Sequence, residues 1–265
     1  MKLRVWNRFA SAAVALGSVV LLGGAAQMPQ DGGAARMPQD GGAPRLPFSV
    51  GERADYQVKL GVVSVGSGFL EVAGSEVISG AQTLHTRMQV QGSLGIARVN
   101  DRYESWIDVQ GLFSRRFIQN VHEVRYRRNR SYEFDPVRRT YRRLDKDETG
   151  PIASDKPLDD LSFMYYARTL PLEVGDQYTL NRYFKESGNP VVLRVVRKET
   201  VQVPAGRFRT IVVQPTIRSG GLFGEGGRAE IYFTDDERRI PVLIKSRVPV
   251  VGSLTMSLRS YRAGT

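Results

Sequence analysis

The chain has 265 residues, with 38 Lys and Arg against 27 Asp and Glu, a formal net charge of +11, two histidines and no cysteine. The missing cysteines exclude a disulfide framework, a thiol nucleophile and a lipid-modified cysteine, so the fold must stand on its hydrophobic core. The basic balance favours anionic partners such as phosphorylated lipids or anionic glycans, or serves solubility alone.

Residues 1–26 have the three parts of a secretory signal: Lys2, Arg4 and Arg8 in front, an apolar stretch from Phe9 to Leu22, and small Gly24 and Ala26 at a cleavage site. The stretch is shorter than the roughly 20 residues of a spanning helix, which predicts a cleaved leader and export to the periplasm. Without the leader's three basic residues the net charge is +8. Export makes nucleic acid an unexpected partner.

A tandem repeat follows, MPQDGGAAR at Met28 to Arg36 and MPQDGGAPR at Met37 to Arg45. Rich in Gly, Pro and Ala, it buries too little apolar surface to offset the entropy of ordering, so residues 27–45 read as a disordered linker. Residues 46–265 are long enough for one large β-rich domain or two smaller lobes.

Within 46–265 the apolar residues recur every second position. Tyr56, Val58, Leu60 and Val62 make a first strand face, and Gly66 to Gly68 marks a turn before Phe69 to Ala73. Thr83 to Gln91 is a second alternating run. From Arg102 to Leu144 aromatic and β-branched residues stand among arginines, with turn signals at Arg128-Asn129 and Asp135-Pro136. One helix is predicted from Leu158 to Thr169, capped by Asp159 or Asp160 and ended by Pro171, with Leu161 and Tyr165 facing the sheet. The strands Val191 to Val203, Phe208 to Ile217, Ala229 to Thr234, Ile240 to Val248 and Ser253 to Tyr261 complete the series, with turns at Val203 to Phe208, Ser219 to Gly227, Asp235 to Arg238 and Gly252. The predicted fold is mainly β: an antiparallel curved sheet, half-barrel or sandwich, with one helix.

Four phrases carry a family resemblance: VGERADYQVKLG at Val50 to Gly61, DDLSFMYYARTLPLEVGD at Asp159 to Asp176, VPAGRFRTIVVQP at Val203 to Pro215 and TDDERRIPVLI at Thr234 to Ile244. In this order they resemble the exported bacterial proteins grouped as domain of unknown function 3108. The resemblance implies an envelope location and a β-rich fold with one helix, and brings no catalytic residues. Cap, hairpin and turn chemistry accounts for each phrase without a ligand.

Arginine clustering marks the candidate binding site: Arg125, Arg127, Arg128, Arg130, Arg138, Arg139, Arg142 and Arg143, with Tyr132 and Tyr141 among them. Guanidinium forks bind phosphate or carboxylate through paired hydrogen bonds, and tyrosines stack on sugars or support the arginines. The plainer reading is a solvated hairpin face whose charges keep edges from pairing. An apolar concavity across the sheet is a second candidate, fit for an acyl chain.

No metal, cofactor or catalytic set is expected. His85 and His122 are too few for a histidine-rich metal site, no serine sits in G-x-S-x-G, and Gly224 to Ala229 matches a dinucleotide pattern by letters while a strand follows where a helix is needed. Arginines on both faces between Arg115 and Arg143 argue against a membrane-inserted barrel, since a lipid-facing arginine costs about 2–4 kcal/mol at the midplane. The expected function is non-catalytic binding of an amphipathic or anionic envelope component, an anionic lipid or glycan, with peripheral membrane contact. The alternative is a structural or assembly factor that contacts another envelope protein.

Overall fold

The computed structural model describes residues 46–95, 97–123, 126–217, 228–248 and 252–265. The expected leader, the repeat linker and the glycine-rich turn at 219–227 lie outside the described residues.

The predicted alternation becomes fourteen strands. The first eight are β1 (Arg53–Leu60), β2 (Val63–Ile78), β3 (Ala81–Leu94), β4 (Ala97–Asp108), β5 (Ser114–Glu123), β6 (Tyr126–Asp135), β7 (Thr140–Arg143) and β8 (Glu148–Pro151). After helix α1 (Asp160–Ala167) come β9 (Gln177–Leu180), β10 (Val191–Val203), β11 (Gly206–Thr216), β12 (Arg228–Thr234), β13 (Pro241–Val248) and β14 (Gly252–Arg262). They form one antiparallel sheet in the order β8-β7-β6-β5-β4-β3-β2-β1-β14-β13-β12-β11-β10-β9. The first and last strands pair in the middle, Tyr56 opposite Leu258 and Val58 opposite Met256, and two meanders run outward from that seam.

The period of two decides what is buried. On β1, Ala54, Tyr56 and Val58 face inward and their neighbours do not. Inward residues of both meanders join one core, from Leu70, Met88 and Phe117 on one side to Val195, Ile211, Ile231 and Leu258 on the other. The sheet does not close by pairing β8 with β9. Instead the connection between them crosses the inner side: Leu158 N donates to Arg182 O at 2.6 Å and Phe184 N to Leu158 O at 3.0 Å.

α1 is shorter than the predicted helix. Asp159 caps it, accepting from Leu161 N and Ser162 N at 2.8 Å, while Ser162 Oγ accepts from Asp159 N at 2.8 Å. The helix is buried almost all round, Leu161 and Tyr165 included, because it lies across the sheet's concave side. Two turn expectations fail. Gly66 and Gly68 lie inside β2, where a side chain on Gly66 would collide with the Gln91 carbonyl; these glycines allow close strand approach, and the turn is at Gly61. Arg128-Asn129 lies inside β6, whereas Asp135 does make the next turn by accepting from Val137 N and Arg138 N.

Antiparallel order sorts the connections onto two ends. The ends of β1–β2, β3–β4, β5–β6 and β9–β10 share one rim; those of β2–β3, β6–β7 and β12–β13 share the far end. α1 closes the far end, where Arg168 reaches Glu52 before β1 and the Arg238 carbonyl after β12.

Candidate functional site

Strand geometry divides the arginine cluster, because successive side chains leave opposite faces. β6 points Arg128, Arg130, Tyr132 and Phe134 inward, opposite Val121, Gln119 and Phe117 of β5. β7 adds Tyr141 opposite Phe134 and Arg143 opposite Tyr132. Arg127 and Arg142 are exposed on the other face, and Arg142 meets Asp147 at 3.3 Å. Arg138 and Arg139 occupy the β6–β7 turn at the far end, roughly 20 Å along the strand from Arg128, and Arg138 meets Asp135 at 3.4 Å. Arg125 lies outside the described residues.

The inner group is a shelf of rings with cations over it. Tyr132 is buried against Phe184 at 5.0 Å, Tyr141 at 5.6 Å and Phe134 at 6.3 Å between ring centres. Arg143 is buried beside it, 5.7 Å from the Tyr132 ring and paired with Asp145 and Glu148; it supports the shelf and is committed to its own carboxylates. Burial raises the pKa of the Tyr132 hydroxyl, and the nearby Arg130 charge pulls it down.

Sequence reasoning missed Lys185. It enters from the connection between β9 and β10, far from the arginines in sequence, with Nζ 5.1 Å from the Phe184 ring centre and 5.8 Å from that of Tyr132. Burial pushes its pKa down to about 8; the charges of Arg130, Arg128 and Arg143 push the same way and Asp160 opposes them. Asp160 instead accepts from the Tyr183 hydroxyl at 3.2 Å, and burial raises its pKa against the nearby Lys185 charge. Lys185 is in no ion pair among the described residues. A partly desolvated ammonium beside two guanidinium groups and an aromatic floor is arranged to receive a phosphate or carboxylate oxygen.

Two other polar clusters serve the fold. The Asp159 carboxylate accepts from Ser105 Oγ at 2.6 Å and Ser114 Oγ at 2.7 Å, and all three side chains are fully buried. Burial raises its pKa to about 6 against the pull of these hydrogen bonds. His85 lies on the outer face, stacked on Trp106 at 4.2 Å and held between Glu76 at 3.2 Å and Glu104 at 2.9 Å. Neither histidine meets these serines.

With this geometry in hand the chain can be set beside known proteins. A family model described as "Protein of unknown function (DUF3108)" matches residues 55–259, which covers the sheet from β1 to β14. The chain belongs to the DUF3108 family. Among solved structures, this DUF3108 chain is similar to a β-barrel-like protein of domain of unknown function DUF1849 from Brucella abortus, at 10% identity and a TM-score of 0.51, over 82% of this chain and 99% of that one. A protein with a YmcC-like fold from Bacteroides fragilis is 11% identical with a TM-score of 0.37, over 82% of this chain and 98% of that one. No curated protein matches the chain. The likeness to the Brucella protein supports a β-barrel-like fold for this DUF3108 member and carries nothing about its ligands.

Proposed function

We propose that this is an exported, non-catalytic envelope protein that binds an anionic component through a phosphate or carboxylate group held by Lys185, Arg128 and Arg130. The observation that carries the reading is Lys185: a cation partly withdrawn from water, among other cations, and in no ion pair of the described structure. Such a group is costly to keep charged until an anion joins it. Tyr132 and Phe184 offer apolar surface to whatever adjoins the charged group, as an amphipathic molecule does. A cavity of about 10 Å³ under α1, lined by Leu70, Met164 and Tyr165, has room for one water at most, so an acyl chain does not fit at that point beneath the helix and the ligand is placed over β6.

The test is isothermal titration with two soluble probes: a short-chain phosphatidic acid below its micelle concentration and a uronic-acid oligosaccharide. Binding of the first alone identifies a lipid headgroup, and binding of the second alone identifies a glycan. Loss of binding in Lys185→Met is expected for either, and failure of wild type to bind both probes overturns the reading. The alternative, an assembly factor that adds a partner strand to β8 or β9 at the ends of the sheet order, predicts recovery of a protein partner and no anion binding.

A further inference from the structure

We infer that the rim above β1 to β6 is a docking surface for an anionic lipid bilayer, with Val62, Val63 and Leu94 entering the headgroup layer and Lys59, Arg98 and Arg127 meeting lipid phosphates. The inference rests on the envelope-binding reading and adds the surface through which the protein meets that envelope.

Hairpin tips ordinarily carry Asn, Asp or Gly, which suit both the backbone and water. Here the β1–β2 tip is Gly61-Val62-Val63 and the β3–β4 strand ends on Leu94-Gly95. Gly61 and Gly95 take positive φ of 58° and 62°, so each supplies the turn and leaves an apolar neighbour at the tip. Val62 is 93% exposed, Val63 49% and Leu94 37%. Nothing in folding rewards side chains this exposed, and a local rule broken without gain to the fold points to use elsewhere.

The charge around these tips selects the partner. Lys59, Arg98 and Arg127 stand at the same ends of β1, β4 and β6. Asp101 is the acid among the described side chains of this stretch, and it is buried, accepting from His122 N at 3.0 Å. The far end supplies the contrast. It also exposes valines: Val77 and Val174 stand beside Glu76 and Glu173 with Asp176, and Val137 stands between Asp135 and the exposed Arg138 and Arg139. Apolar tips ringed by Lys and Arg suit an anionic bilayer, where each basic group near the surface adds about 1 kcal/mol; apolar tips beside carboxylates do not.

The full mature chain is co-sedimented with vesicles of phosphatidylglycerol mixed into phosphatidylcholine, and with phosphatidylcholine alone. Binding is expected to the mixed vesicles and to fall at least tenfold in V62S/V63S/L94S, with the melting temperature and titration of short-chain phosphatidic acid unchanged. V77S/V137S/V174S is expected to bind vesicles as wild type does. Unchanged vesicle affinity in V62S/V63S/L94S, or equal binding of wild type to both vesicle types, overturns the docking surface while leaving the cleft reading intact. Lys185→Met that still binds vesicles but loses the soluble lipid supports a rim that acts apart from the cleft, whereas wild type that binds vesicles without the soluble probes removes the cleft alone.

Discussion

Two cations on the connection between β8 and β10 are withdrawn from water against different strands, Arg168 beside β1 and Lys185 over β6, with opposite consequences. At the far end Arg168 is 3% exposed and held through both terminal nitrogens, its Nε alone lacking a hydrogen-bond partner: Glu52 accepts at 2.6 and 2.9 Å, the Pro47 and Arg238 carbonyls at 3.0 and 2.9 Å, and Phe48 and Tyr165 stack on it at 5.0 and 5.5 Å. Tyr261 of β14 donates to the same Glu52 at 3.1 Å. Over β6 Lys185 has rings and guanidinium groups around it and no ion pair among the described residues. The first cation ties helix, β1 and β14 together. The second leaves an anion's place among cations, which is why one reads as a lock and the other as a binding site.

The largest effect should come from breaking the lock. Arg168→Met leaves Glu52 buried without its partner and should cost about 3–5 kcal/mol in denaturant unfolding, with much of the loss recovered in R168M/E52L. If single and double variants are equally unstable, the pair is not what joins the helix to β1.

Asp159, the third buried charge on this connection, should respond to pH. Its folded pKa of about 6 lies above the ordinary carboxylate value, so the folded state holds a proton that the unfolded chain has released between about pH 4 and 6. Its stabilising contribution is therefore full below pH 4 and lost as pH rises through 6, by at most roughly 3 kcal/mol. Asp159→Asn should flatten that part of the stability curve, because its amide oxygen still accepts from the helix N–H groups. A wild-type curve already flat across this window would show that the serines hold the carboxylate ionised.

Lys185→Met should behave unlike the Arg168 variant. Replacing a partly buried cation among cations with an apolar side chain should raise stability by about 1 kcal/mol while abolishing anion binding. Loss of stability instead would make Lys185 a structural group. The smallest effect is protonic. A bound anion favours the charged ammonium, so binding at pH 8 should take up about half a proton, seen as a dependence of the titration heat on buffer ionisation enthalpy. Uptake should vanish in Lys185→Met, and affinity should weaken as pH rises above 8.

The strands were legible because alternation is local. Tyr56 and Val58, or Met256 and Leu258, declare an inner face without reference to partners, and Asp159, Pro204 and Gly206 mark cap and hairpin by their own chemistry. The turns failed where glycine had two uses: Gly66 reads as a turn in sequence, but close packing of β2 on β3 needs it inside a strand. The arginine cluster was found as a run and misjudged as a patch. Arg128 and Arg130 go inward, Arg127 and Arg142 outward, and Arg138 and Arg139 to the other end.

Local pattern by itself determined an antiparallel β fold with one capped helix, since backbone period, turn residues and caps act over a few neighbours. Only the tertiary structure decided that β1 and β14 meet at the seam, that α1 shuts one end, and that Lys185 lies over Tyr132 beside Arg130. Those placements depend on how a crossing connection packs against strands distant in sequence. Neither periodicity nor composition encodes which charges are then left in water and which are brought together out of it.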